Sequence, residues 1–194
     1  MNLAKLLLLS AVLLSSFTCA TRRSGSFKPK SSEVLQSEIA TFRSSDKFRV
    51  EYDRFKNFTS VNAGEFYTFL RSEYETLPAT IFLHTNFDGA TLNKPAEHVS
   101  ILISAVSDDW HLRDNKELNF IADGKRLNAG VGEYRSDILS GGKTYEALAY
   151  TFSRSDAEQI FGAVTTEYQL GVFEGELPLE IQRAMKDLLQ LTGN

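Results

Sequence analysis

"HVSILISAVS" (98–107) places Val99, Ile101, Ile103 and Ala105 on one side and Ser100 and Ser104 on the other. Apolar residues at every second position are the pattern of a β-strand with one buried face. The same period recurs on both sides of this stretch. In "FRVEYD" (48–53), Phe48, Val50 and Tyr52 alternate with Arg49, Glu51 and Asp53. "ATIFLHTNF" (79–87) aligns Ile81, Leu83, Thr85 and Phe87, and "KTYEALAYTFS" (143–153) carries Leu148, Tyr150 and Phe152. "EFYTFLRSEYE" (65–75) is aromatic-rich and reads as another strand. "ELNFIADGKRLN" (117–128) reads as strand, turn, strand, because Asp123-Gly124 supplies the positive φ that a tight hairpin needs.

The pattern changes near the end. "SDAE" (155–158) matches a capping box, Ser155 with Glu158, and Ala157, Ile160, Phe161 and Val164 follow at helical spacing, which predicts a helix near 155–164. A short hairpin is expected around Gly171. Pro178 suits a first helical position, and Ile181, Met185, Leu188 and Leu189 form one apolar face of an amphipathic helix over about 178–192, with Gly193 as its cap. Many short strands with turns between them, and helices only late, predict a mainly β fold that is α+β at its C-terminus. The core expected is an antiparallel β-sandwich or an open, barrel-like sheet.

The first residues read differently. Lys5 precedes an apolar run, Leu6 to Leu14, broken only by Ser10. That run has the length of a signal-peptide core and is too short for the roughly 20 residues of a membrane span. Thr18-Cys19-Ala20 fits a small-x-small cleavage site, so residues 1–20 are expected to be a signal peptide cut after Ala20. Cys19 allows an alternative, lipidation and membrane anchoring, but Ser16, Phe17 and Thr18 match the bacterial lipobox poorly. Residues 21–47 read as a flexible tether or partly helical linker, and 48–194 as one β-rich domain.

Charge and composition exclude several classes. The chain has 21 basic and 25 acidic residues and a net charge of −4. The leader contributes one lysine and no acid, so its loss makes the remainder more acidic. Nucleic-acid binding without sequence preference needs clustered basic excess, which is missing. Arg22, Arg23, Lys28 and Lys30 are the one basic cluster, and solvated linker charge explains them. Cys19 is the sole cysteine, so its loss with the leader leaves no disulfide and no thiolate chemistry.

His84, His98 and His111 share no metal-ligand spacing, so no metal and no cofactor are expected. "SDDWHLRDNKE" (107–117) is the most suggestive loop: Asp108, Asp109 and Asp114 offer oxygens, and Trp110 a ring for stacking on a sugar. The spacing of a calcium-binding EF-hand loop is missing there, and the same residues suit a solvated turn with a packed tryptophan. "SGGKTY" (140–145) lacks the first glycine of a phosphate-binding loop, since Asp137 stands there, and leads into a strand. "NFT" (57–59) matches a glycosylation acceptor, a tripeptide common by chance. Hydrolase elbow and zinc-protease motifs are absent from the sequence.

"YDRFKNFT" (52–59), "FIADGKRL" (120–127) and "AVTTEYQLG" (163–171), followed by a terminal amphipathic helix, resemble a loose set of uncharacterised exported bacterial β-rich proteins. The resemblance covers most of residues 49–192. It implies an exported bacterial β-rich domain, and it carries over no activity and no functional residue. The expectation is a non-catalytic binding or interaction domain of the cell envelope, periplasmic or extracellular, with an envelope protein or glycan as partner. The alternatives are a small carbohydrate-active or other hydrolase using unrecognised carboxylates, and a structural component of an envelope assembly.

Overall fold

The computed structural model describes residues 27–43 and 45–193, so the leader, Cys19, Arg22 and Arg23 lie outside the described residues. In chain order the elements are β1 (Lys30–Ser31), α1 (Ser32–Ile39), a 3-10 turn (Ser45–Lys47), β2 (Phe48–Asp53), β3 (Phe58–Arg71), β4 (Thr76–Asp88), β5 (Thr91–Leu92) and β6 (His98–Ser107). They continue with β7 (Glu117–Ala122), β8 (Lys125–Val131), β9 (Glu133–Ile138), β10 (Thr144–Ser153), α2 (Arg154–Gly162), β11 (Thr166–Leu170), β12 (Phe173–Glu176) and α3 (Leu179–Leu191). One sheet has six strands in the order β2-β3-β4-β6-β10-β9, and a second has four in the order β12-β11-β7-β8. β1 and β5 make a small third pair, and every pairing is antiparallel. The fold is therefore mainly β with a C-terminal helix, and the described sheets do not close into a barrel.

Period two decides which face is buried. Val99, Ile101, Ile103 and Ala105 of β6 and Leu77 to Thr85 at odd positions of β4 are buried, as their alternation requires. Of these, Ile81, Ile101 and Ile103 meet Leu118, Phe120 and Tyr168 of the smaller sheet across a residual crevice of about 20 Å³, room for about one water. Phe120, Phe152 and Phe161 lock β7, β10 and α2 together, with ring centroids 6.0–6.2 Å apart. Ile181, Met185, Leu188 and Leu189 are buried, and α3 packs on β3, β4 and α2.

A bulge in β3 reverses the parity of that strand. Its buried positions are odd up to Ala63 and even from Phe66, because the register with β4 shifts between those two residues. An extra residue on one strand exchanges its faces from there on. Phe66 and Leu70 consequently point inward, and Tyr67 and Phe69 point outward.

The chain passes from one sheet to the other between β8 and β9, at Gly132. Its N–H donates to the Lys116 carbonyl at 2.8 Å, and the Tyr150 hydroxyl donates to the same carbonyl at 2.8 Å. A Cβ on residue 132 would lie 2.6 Å from the Tyr150 ring, so the corner needs glycine for space.

Several local expectations are corrected. The cap of α2 is Ser153, whose hydroxyl accepts from the Asp156 N–H at 3.1 Å, and not Ser155. Both serines match the pattern, but β10 ends at Ser153 paired with His98, and the helix starts at the next residue. Glu158 instead accepts from Arg154 at 3.0 Å. Pro178 stands one place before the first turn of α3 and accepts from the Ile181 and Gln182 N–H groups. Thr192, not Gly193, is the C-cap. Gly193 makes room for the Arg154 guanidinium, which donates to the Leu189 carbonyl.

Part of the segment read as tether or partly helical linker is integrated into the fold. Leu35 and Ile39 of α1 are buried in the main core. Lys30 is 8% exposed and donates to Glu38 at 2.8 Å and to the Leu191 carbonyl at 3.0 Å. A cation near unsatisfied carbonyls at a helix C-terminus is favourable, which gives this lysine its buried place.

Candidate functional site

The reversed parity of β3 builds an apolar surface on the outer face of the six-stranded sheet. Register sets its rows. Phe69 stands opposite Pro78, and Val106 opposite Tyr145. Tyr67, Thr80, Ser104, Ala147 and Arg135 line the next row across five strands. Phe82, Leu102, Ala149 and Glu133 follow, and then a polar row of Asn62, His84, Ser100 and Thr151. The surface is thus bounded by polar groups at one end and by the charges of β9 on one side.

The exposure is large. Tyr67 is 71% exposed, Phe69 56% and Val106 50%. They line an open depression of about 320 Å³ together with Pro78, Thr80 and Ser104. Apolar residues exposed singly need no explanation, whereas contiguous ones on one sheet face form a surface patch. Phe82 lies across Gly64 at the bulge, where a Cβ would come within 2.5 Å of its ring. The glycine thereby lets an outer aromatic lie flat on the strand.

Hydrogen bonds and burial tune this face. The Tyr67 hydroxyl donates to Glu65 at 2.9 Å, and that bond to a carboxylate holds its pKa above the ordinary phenol value. His84 is half-buried, and desolvation pushes its pKa below the ordinary imidazole value.

The loop at 107–117 is organised from a distance. Glu146 is fully buried, and its carboxylate accepts from the N–H groups of His111 at 2.6 Å, Leu112 at 3.0 Å and Arg113 at 3.0 Å. The Tyr134 hydroxyl donates to the same carboxylate at 2.9 Å. His111 Nδ1 lies 2.9 Å from Glu75, which pins the loop to the turn after β3. One buried acid thus replaces the strand or helix partners that these main-chain donors lack.

The four residues singled out in this loop go to different partners. Asp108 pairs with Lys143 at 2.7 Å, and Asp109 accepts from the Trp110 N–H at 2.7 Å. Asp114 lies 3.8 Å from Arg113, whose guanidinium sits 6.0 Å from the centre of the Trp110 ring. Among the described residues, no three His, Cys, Asp or Glu side chains are grouped to hold a metal ion.

A second depression, about 380 Å³, lies on the four-stranded sheet and is lined by Glu167, Glu174, Glu176 and Arg126, among others. Glu167 stands directly opposite Glu176 in the register. All three carboxylates are exposed. The "SGGKTY" segment forms the β9–β10 turn, with Gly141 and Gly142 at positive φ.

Sequence reasoning missed Glu146 and the outer face. The signal for Glu146 was available: it shares parity with Leu148, Tyr150 and Phe152, and an acid at an inward strand position must find donors. No family model matches the chain, and no curated protein or solved structure matches it either.

Proposed function

We propose that this is an exported, non-catalytic binding domain of the bacterial cell envelope whose outer six-stranded face docks a protein partner. The observation that carries the reading is the exposed surface of Tyr67, Phe69 and Val106 on the outer face of the six-stranded sheet. Protein interfaces have an apolar, aromatic centre and a polar rim, and this face has both. A protein fits better than a glycan: Phe69, Pro78 and Val106 line the depression beside the hydroxyls of Tyr67, Thr68, Thr80 and Ser104, and planar carboxylate or amide side chains are not among its lining residues. The leader at 1–20 supports export, and retention of acylated Cys19 would turn the same domain into a membrane-anchored one. Among the described residues, no helix is long and apolar enough to cross a membrane.

A photo-crosslinking residue in place of Phe69, introduced in the native host, tests the reading. One discrete protein adduct is expected from Phe69, and none from the same residue in place of Glu174 on the other sheet. Absence of an adduct at Phe69, or equal adducts at both places, would overturn it.

A further inference from the structure

We propose that two copies of this chain associate through the open edge of β9, pairing antiparallel about Ser136. This inference is independent of the docking reading above. β9 is the last strand of the six-stranded sheet, joined to β10 on one side only. The Leu139 N–H donates to the Lys143 carbonyl at 2.8 Å. Hydrogen-bonded pairs alternate along an antiparallel ladder, so residues 133, 135 and 137 exchange their main-chain bonds with β10. Tyr134, Ser136 and Ile138 therefore turn theirs to the open edge. The Ile138 N–H donates to the Asp137 carboxylate at 2.8 Å, as an edge donor without a strand does.

A second β9 can bond to this edge only in registers that match even residues with even ones. Centred on Arg135, the pairing sets Arg135 against its own copy and Glu133 against Asp137. Centred on Ser136, it sets Arg135 opposite Asp137 twice and Tyr134 opposite Ile138 twice. That register joins opposite charges and covers Ile138, which is 67% exposed. Opposite charges facing each other across strands stabilise a pair, and like charges oppose it. Edge strands are commonly guarded by charged side chains, above all lysine, or by proline. β9, "EYRSDI" (133–138), has no lysine and no proline, and its charges are of mixed sign and self-complementary.

The two-fold axis would stand perpendicular to the sheet. It would place the two outer faces side by side on one twelve-stranded sheet. The area joined by one short strand is small, so association in the micromolar range is expected, at the weak end of specific interfaces.

Sedimentation equilibrium of the full chain as its host produces it, from about 1 µM to a few hundred µM, reads the dimer directly. Arg135→Asp should weaken association roughly tenfold or more, since both facing pairs become repulsive. Arg135→Asp with Asp137→Arg should restore it. Ser136→Pro should also abolish it, because proline removes an edge donor at little cost to an edge strand. Should that variant fail to fold, the charge pair alone decides. A monomer at every concentration would overturn the proposal. So would a dimer that Arg135→Asp leaves intact, or one that the double exchange fails to restore.

Discussion

Replacing Glu146 should loosen one loop and lower the stability of the whole domain. Its carboxylate holds three main-chain N–H groups and one phenol, and the residue is 0% exposed. In Glu146→Leu the partners stay, because backbone donors cannot be mutated away. Each buried orphan costs ~1–3 kcal/mol, and His111 and Arg113 recover part of that from water. A loss of about 3–6 kcal/mol follows, against a total stability of about 5–15 kcal/mol. For a domain of this size the midpoint should fall by roughly 6 °C or more. Glu146→Gln is more informative. Its oxygen can keep Leu112, Arg113 and Tyr134, but its amide then meets the His111 N–H donor to donor. About 1–3 kcal/mol is expected. Tyr134→Phe removes one bond and should cost about 1 kcal/mol. Urea unfolding gives the energies, and hydrogen exchange at amides 111–113 gives the location. A Glu146→Leu variant that melts within about 2 °C of the parent, or unchanged exchange at those three amides, would refute the reasoning.

Gly132→Ala should cost ~1–3 kcal/mol, since the new methyl lies inside the Tyr150 ring contact; thermal melting checks it, and an unchanged midpoint would show the corner to be compliant. Burial lowers the pKa of His84, so the folded state resists a proton that the unfolded imidazole accepts. Its contribution is fully present above the unfolded pKa of about 6.5 and is lost as pH falls below it. Comparing parent and His84→Gln melts at neutral and mildly acidic pH should show a shallower acid decline in the variant; equal declines would contradict the assignment. Mass spectrometry of protein from the host should find Thr21 at the N-terminus, and Cys19→Ser should leave fractionation unchanged. An acylated Cys19 at the terminus would show instead that the protein is lipid-anchored.

The strands that face the core on one side were legible in the sequence, because β4, β6 and β10 carry apolar residues at most of their inward positions. The C-terminal helix was legible for the same reason at helical period. β3 was not, beyond its second half: the bulge after Ala63 changes parity in mid-strand, and only the register with β4 reveals it. That single shift also hid the outer face, since the aromatic-rich stretch 65–75 reads as a strand without saying which of its aromatics face outward. β9 has no apolar face to detect and is held by its pairing with β10. α1 looked like linker because its sequence is polar apart from Val34, Leu35 and Ile39, and two of those three are the ones buried. In the 107–117 loop, sequence drew notice to Asp108, Asp109, Trp110 and Asp114, whereas the residue that organises the loop lies some thirty positions later, at Glu146.

Retention on native envelope fractions tests the central claim most directly. The measurement compares the parent with a Phe69→Ser, Val106→Ser double variant whose thermal midpoint is first matched to it. Both side chains are more than half or about half exposed, so folding should be little affected. The docking reading predicts at least about tenfold weaker retention, the scale of losing two central apolar contacts. Equal retention of parent and variant would contradict it.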